Sequence, residues 1–304
     1  MSKIRRKIDR NESILFSDFI VEKEAHGLAL KSIENYKKVY ERYCKEIGED
    51  ITEKSVLKWI KYLKDKKIDT ISINFYIVQL RVFAYWLMKH GYLDGFEIKK
   101  LKAQEPQVKT IPEEDILVLL ERPDVNCSFR EYRSWVIINF ILGTGARLST
   151  IINLKIEDID FELKEIKYRH LKNKSSAIIP LSSSLEKVLR QYLSTWDIGK
   201  DYLFTDHNGA QLTCSAVAQS LNIYCRSRGI KRRGAHSFRH TFAKKYVVNG
   251  GNVFTLQRLL THTDLTMTKK YVHLFGSDMK KGFEELCPLD TYKKKSLLVR
   301  RKSN

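Results

Sequence analysis

The sequence predicts a mainly α-helical chain with a small antiparallel β-sheet, divided into an all-helical N-terminal domain and an α+β C-terminal domain. Three observations predict it. The first 90 or so residues carry apolar side chains at spacings of three and four, the period of a helix face. Residues 93–109 lose that period and contain Pro106, as a linker does. Beyond them, helical stretches are interrupted by two short runs that alternate at period two.

The elements follow in order. Residues 1–11 form a basic lead. A first helix, over 12–26, carries Leu15, Phe19 and Ile20 and stops before Gly27. Ser32 is a plausible N-cap for a second, whose stripe is Ile33, Tyr36, Tyr40, Tyr43 and Ile47 and whose stop is Gly48. A third starts near Thr52 and buries Val56, Trp59, Ile60 and Leu63, with Lys54, Lys58, Lys61 and Lys64 on its other face. A fourth, over 70–90, buries Phe75, Val78, Val82, Phe83 and Trp86. The helical domain therefore spans 12–92 and the linker 93–109. The second domain, 110–286, opens at Pro112, a residue suited to a first helical turn. It continues with an apolar helix over 129–142 closed by Gly143-Thr144-Gly145, and another helix from Arg147. Two strands follow, 165–170 and 177–181, joined by a turn through Lys172, Asn173, Lys174 and Ser175. Helices are expected at 183–195, 214–228, 237–249 and 253–261, around Tyr271, and over 279–285. Residues 287–304 are a basic tail.

The formal net charge is +19 over 304 residues. A charge of that size, spread along the whole chain, points to a polyanionic partner, nucleic acid first and an anionic membrane surface second. No apolar run of about 18 residues marks a membrane span, and the charged N-terminus lacks the apolar region of a signal peptide. The expected compartment is the cytoplasm, with no membrane partner. Five scattered cysteines include no CxxC pair and suggest neither a disulfide framework nor zinc. No GxxxxGK[ST] segment indicates ATP hydrolysis.

The densest chemistry lies in 235–272. His236 and Arg239 are three apart and share a helix face. His262 ends a short apolar run, and Tyr271 lies nine residues beyond it. Upstream, Arg147 follows a Gly-Thr-Gly turn. His236 and His240 have metal-ligand spacing, but HSFRH lacks the glutamate of HExxH. No metal and no cofactor is expected.

In this order, GTGARLSTI with Arg147, LKNKSSAIIPL with Lys172, AHSFRHTFA with His236 and Arg239, and LLTHTDLTMTKKYV with His262 and Tyr271 resemble the tyrosine recombinase, or phage integrase, family. The match covers about 110–275. The N-terminal helices resemble the family's SAM-like core-binding domain in size, helicity and basic character, and the whole looks closest to Xer-type or mobile-element recombinases.

The resemblance implies six catalytic groups. Arg147 and Arg239 would bind the non-bridging oxygens of a DNA phosphate, and Tyr271 would attack it to give a 3′-phosphotyrosine link. His236 would accept the tyrosine proton and hold the phosphate. His262 would donate a further bond, and Lys172 would protonate the departing 5′-oxygen. Lys172 is placed by counting back from Pro180, and Lys174 stands close by on the same turn. His240 is expected in a packing role, and Tyr292 lacks a preceding LxxH block.

The implied partners are double-stranded DNA, further copies of the chain in a tetramer on paired sites, and accessory DNA-bending or directionality proteins. The implied function is site-specific recombination, as in integration and excision of a mobile element or Xer-type recombination. A relaxing enzyme of the type IB topoisomerase kind and a DNA-binding regulator without catalysis are the alternatives. Residues 277–286 are expected to dock in trans on a neighbouring protomer. The sequence departs from the family pattern at Thr261, where glycine normally precedes the histidine, and in a lysine turn without glycine.

Overall fold

The computed structural model describes residues 12–103, 109–169, 176–197, 199, 201–231 and 234–261. The chain divides into two compact units, Met1–Pro106 and Gln107–Asn304.

Among the described residues the first unit has four helices: α1 (Glu12–Ala25), α2 (Leu30–Ile47), α3 (Glu53–Asp65) and α4 (Thr70–Lys89). Helix α1 buries Leu15, Phe19 and Ile20, the side chains its spacing selects. Helix α2 begins before Ser32. Ala29, in an extended conformation and without a side-chain cap, precedes its first residue. Its buried stripe (Ile33, Val39, Tyr40 and Tyr43) holds it in place of a cap. Helix α3 is capped by Thr52, whose hydroxyl accepts from the Ser55 amide while Ser55 reaches back to the Thr52 amide. Such a cap contributes about 1 kcal/mol. Its lysines Lys54, Lys58, Lys61 and Lys64 are all exposed.

Helix α4 turns a different face inward from the expected one. Ile73, Ile77, Leu80, Ala84 and Leu87 are buried with Phe83 and Trp86, whereas Phe75 is 43% exposed and Val78 and Val82 are half-buried. The helix is apolar on nearly every side, so its period alone could not select a face. By length and composition it would suit a membrane span, but its apolar face forms the core of this unit. Residues 93–103 carry no regular element, yet Ile98 is buried in the same core. Asn74 pins this segment through paired bonds to the Leu101 amide and carbonyl, 2.8 and 2.9 Å.

The second unit is built around α6 (Phe129–Thr144), capped by Ser128 and buried along most of its length. Against it pack α5 (Glu113–Leu120), α8 (Ser183–Thr195), α9 (Cys214–Ser227) and α10 (Ala235–Val248). A helix covered on so many sides has little use for polar residues in its second half, which is why 135–142 is apolar but for Asn139. The short α7 (Leu148–Ile151) follows α6, and α11 (Val253–Leu259) follows α10. Three strands form one antiparallel sheet in the order β1 (Ile159–Asp160), β2 (Glu165–Tyr168), β3 (Ala177–Pro180). Ile166 pairs with Ile159 on one side and Ile179 on the other. The two-residue β1 has no sequence signature of its own.

The turn from α6 into α7 is tightly specified. The Gly145 amide closes α6 on the Ile141 carbonyl at 2.8 Å. The Thr144 hydroxyl donates to the Phe140 carbonyl and accepts from the Ala146 amide. Gly145 has φ +69°, and a Cβ there would stand 2.5 Å from the Phe242 ring and 2.7 Å from Leu260. Both conformation and space therefore demand glycine.

Two outcomes are expected from this architecture. The Gly145→Ala substitution should destabilise the chain by about 1–3 kcal/mol from backbone strain and by a similar amount, about 1–3 kcal/mol, from overpacking; an unchanged thermal midpoint would refute it. The second concerns Glu12, whose carboxylate accepts from the Ile51 amide at 2.9 and 3.1 Å. Burial pushes its pKa up to about 7, aided by Asp50 and Glu49 and opposed by the Ile51 bond. A raised carboxyl pKa means that the fold favours the neutral form. That stabilisation is complete below the ordinary value of 4.5 and is lost as pH rises through about 7. Urea midpoints at pH 5 and pH 8 should therefore differ less in Glu12→Gln than in the parent.

Candidate active site

Arg147 and Arg239, far apart in sequence, meet at the C-terminal end of α11. Arg147 is the N-cap residue of α7, extended at φ −78° and ψ 151°. It is half-buried, and its Nη1 donates to the Leu260 carbonyl (3.1 Å), the Thr261 carbonyl (3.2 Å) and the Thr261 hydroxyl (2.7 Å). Arg239 lies in the second turn of α10 and is only 5% exposed. Its Nη1 donates to the Gly145 carbonyl at 2.5 Å and its Nη2 to the Leu260 carbonyl at 2.7 Å. The two guanidiniums thus share one acceptor.

The choice of acceptor has a physical cause. The last carbonyls of a helix have no partner within it, and the helix dipole makes that end negative. Leu260, the C-cap of α11, supplies such a carbonyl, so the end of α11 offsets part of the repulsion between two neighbouring cations. Burying a charge as deeply as Arg239 is costly unless its N–H groups are bonded, and the Gly145 and Leu260 carbonyls supply two such bonds.

The position of α11 depends on a small apolar cluster of Ala243, Leu256 and Leu260, with Phe242, Tyr246 and Val247 packed on it. Asn252 caps α11, accepting from the Phe254 and Thr255 amides. Between α10 and α11 the chain turns at Gly250 (φ +84°) and Gly251, where a Cβ would meet the Tyr246 ring at 2.2 Å.

His236 lies in the first turn of α10, one turn before Arg239, and is exposed. His240 is half-buried, its ring centroid 6.5 Å from that of His236. Burial lowers the His240 pKa, and His236 and Arg239 lower it further, so the site favours the neutral imidazole. This suits the packing role expected for it. Lys172, His262 and Tyr271 lie outside the described residues, as do the expected helices around 271 and over 279–285. The chain leaves the arginine pair at Thr261, one residue before His262.

Strand β2, which precedes Lys172, is tied down at its end. Arg169 bonds the buried Asp158 carboxylate through Nε and Glu157 through Nη2 at 3.1 Å. Sequence reasoning missed this anchor, and it missed the Gly145 and Leu260 carbonyls. Main-chain acceptors leave no mark on residue identity. Thr261 was visible only as a departure from a pattern.

Comparison with known proteins places the chain in a family. The model of the Phage integrase family matches residues 109–277. The chain is 27% identical over 284 residues to tyrosine recombinase XerA of Pyrococcus furiosus, covering 92% of this chain and 96% of that one. It is 30% identical over 242 residues to a tyrosine recombinase of Pseudothermotoga lettingae, covering 75% and 80% respectively. Among solved structures, the Tn1549 transposon integrase in complex with transposon right end DNA shares the fold, with a TM-score of 0.72 at 19% identity, covering 86% of this chain and 94% of that one. With a family match spanning most of the second unit and a relative 30% identical over three quarters of the chain, the chain belongs to the phage integrase family and is a tyrosine recombinase, an enzyme that cuts and rejoins DNA.

Proposed function

We propose that the chain carries out site-specific recombination on double-stranded DNA through Arg147, Lys172, His236, Arg239, His262 and Tyr271. The observation that carries this reading is the convergence of Arg147 and Arg239 on the Leu260 carbonyl, directly before the segment that holds His262 and Tyr271. Two fixed guanidiniums suit a phosphodiester. Each presents planar donors to non-bridging oxygens, and together they stabilise the extra charge of a pentavalent transition state.

In the proposed sequence, the Tyr271 oxygen attacks phosphorus and gives its proton to His236. The bond from phosphorus to the 5′-oxygen breaks, and Lys172 protonates that oxygen. His262 donates to a phosphate oxygen. The product is a 3′-phosphotyrosine and a free 5′-hydroxyl. The 5′-hydroxyl of a second strand then attacks the phosphotyrosine, restores the phosphodiester and releases Tyr271. One ester replaces another at each step, so no nucleotide hydrolysis is needed.

Exchange between two duplexes requires several protomers, and a tetramer on paired sites, acting in the cytoplasm, is the assembly this reading entails. Integration and excision of a mobile element, or Xer-type recombination, is the corresponding biological setting. The exposed lysines of α3 are assigned to DNA phosphates.

A DNA duplex carrying the chain's recombination site, nicked so that the 5′-hydroxyl diffuses away, should trap a covalent protein–DNA adduct. Tyr271→Phe should abolish it. Absence of the adduct in the parent, or its persistence in the variant, would overturn the mechanism. Arg239→Lys should slow adduct formation by roughly 10²–10³-fold, since an ammonium cannot reproduce two planar bonds.

Affinity for duplex DNA should fall steeply with salt. Replacing Lys54, Lys58, Lys61 and Lys64 with alanine should flatten the log–log slope by about 0.9 for each lysine that meets a phosphate. An unchanged slope would remove α3 from the interface.

A further inference from the structure

Thr261 combines two properties that conflict unless they serve a purpose. Its φ is +50°, the left-handed region that L-residues rarely adopt. A β-branched side chain is especially ill-suited to it. Glycine would take the same turn without strain. Among the described residues only Lys67 and Lys164 share this feature, and both are exposed.

At Thr261 the side chain does something glycine could not. Its Oγ1 accepts from Arg147 Nη1 at 2.7 Å, shorter than that nitrogen's bonds to the Leu260 and Thr261 carbonyls. Of the three oxygens grouped on Nη1, two belong to Thr261. A guanidinium is planar, so fixing one nitrogen from several directions fixes the plane of the whole fork. Arg239 is held differently, by the Gly145 and Leu260 carbonyls. The hydroxyl is thus particular to one of the two arginines.

We propose that Thr261 is a positioning residue for catalysis: its hydroxyl sets the plane of the Arg147 guanidinium, and the left-handed turn at the same residue is retained for that contact. Arg147 reaches the site from the loop after α6, and α11 approaches it from the other side of the chain. A side-chain bond from Thr261, the residue after the C-cap of α11, holds this arginine in register before any phosphate arrives. Preorganisation of this kind acts on the rate of the chemical step more than on DNA affinity.

The inference rests on Arg147 being a phosphate-binding group, and the test separates the two. Thr261→Gly keeps the turn, relieves its strain and removes the hydroxyl. Thr261→Ser keeps the hydroxyl with less crowding. Single-turnover adduct formation on a nicked duplex, at saturating DNA, should fall about 10-fold in Thr261→Gly and stay within about 3-fold of the parent in Thr261→Ser. DNA affinity should be unchanged in both. The thermal midpoint of Thr261→Gly should equal or exceed the parent's, which a merely structural role for the threonine would not give.

Parental cleavage by Thr261→Gly, or an equal loss in Thr261→Ser, would overturn the proposal. If Arg147→Lys also cleaves at the parental rate, the assignment of Arg147 fails. If Arg147→Lys is impaired while Thr261→Gly is not, only the role of Thr261 fails.

Discussion

The Leu260 carbonyl is the point on which the second unit's chemistry depends. It accepts from both Arg147 and Arg239. Bringing two cations to one oxygen is unfavourable in isolation. It becomes tolerable because the oxygen sits at the negative end of α11 and because a second carbonyl, from Gly145, shares the more buried charge. The site is therefore organised by main-chain atoms, and the side chains of the motif are placed by them.

Each of those main-chain atoms requires a particular piece of sequence. The Gly145 carbonyl is presented by a left-handed turn that the Phe242 ring and Leu260 enclose. Leu260 is fully buried and belongs to the satellite cluster of α10 and α11 rather than to the main core. Phe242, one of the residues packed on that cluster, also closes over Gly145. Packing and the candidate site thus share residues: the leucine that seals the cluster also offers the carbonyl that both arginines bond. The main core around α6 supplies a rigid base, with Phe140, Ile141 and Phe238 fully buried.

The sequence was most informative where a single physical rule governed the outcome. Helices α8 (Ser183–Thr195) and α9 (Cys214–Ser227) lie within a residue of their expected bounds, and the structure shows them capped by Ser182 and Thr213. The stripes of α1 and α3 are buried with only Ile60 of the latter half out. Legibility failed where two rules competed. Helix α4 is apolar on all sides, so which face turns inward was settled by its neighbours, and Phe75 ended outside. Helix α2 starts ahead of Ser32 because packing outweighs a missing cap. At the candidate site, order and spacing single out Arg147 and Arg239, which the structure brings together. Their mutual arrangement could not be read from the sequence, because it runs through the carbonyls of Gly145, Leu260 and Thr261, and every residue type carries a carbonyl.

The turn between α10 and α11 shows how far this dependence reaches. Gly250 is exposed, as a surface loop residue ordinarily is, and such loops accept inserted residues readily. Here the Gly251 amide returns to the Tyr246 carbonyl, and the Tyr246 ring lies where a side chain on Gly251 would stand. The hairpin closes face to face and leaves no slack between Arg239 on one helix and Leu260 at the end of the next. An added residue would shift the anchor relative to the arginine it anchors. In sequence drift among relatives, this exposed turn should therefore keep its length as strictly as a core keeps its volume.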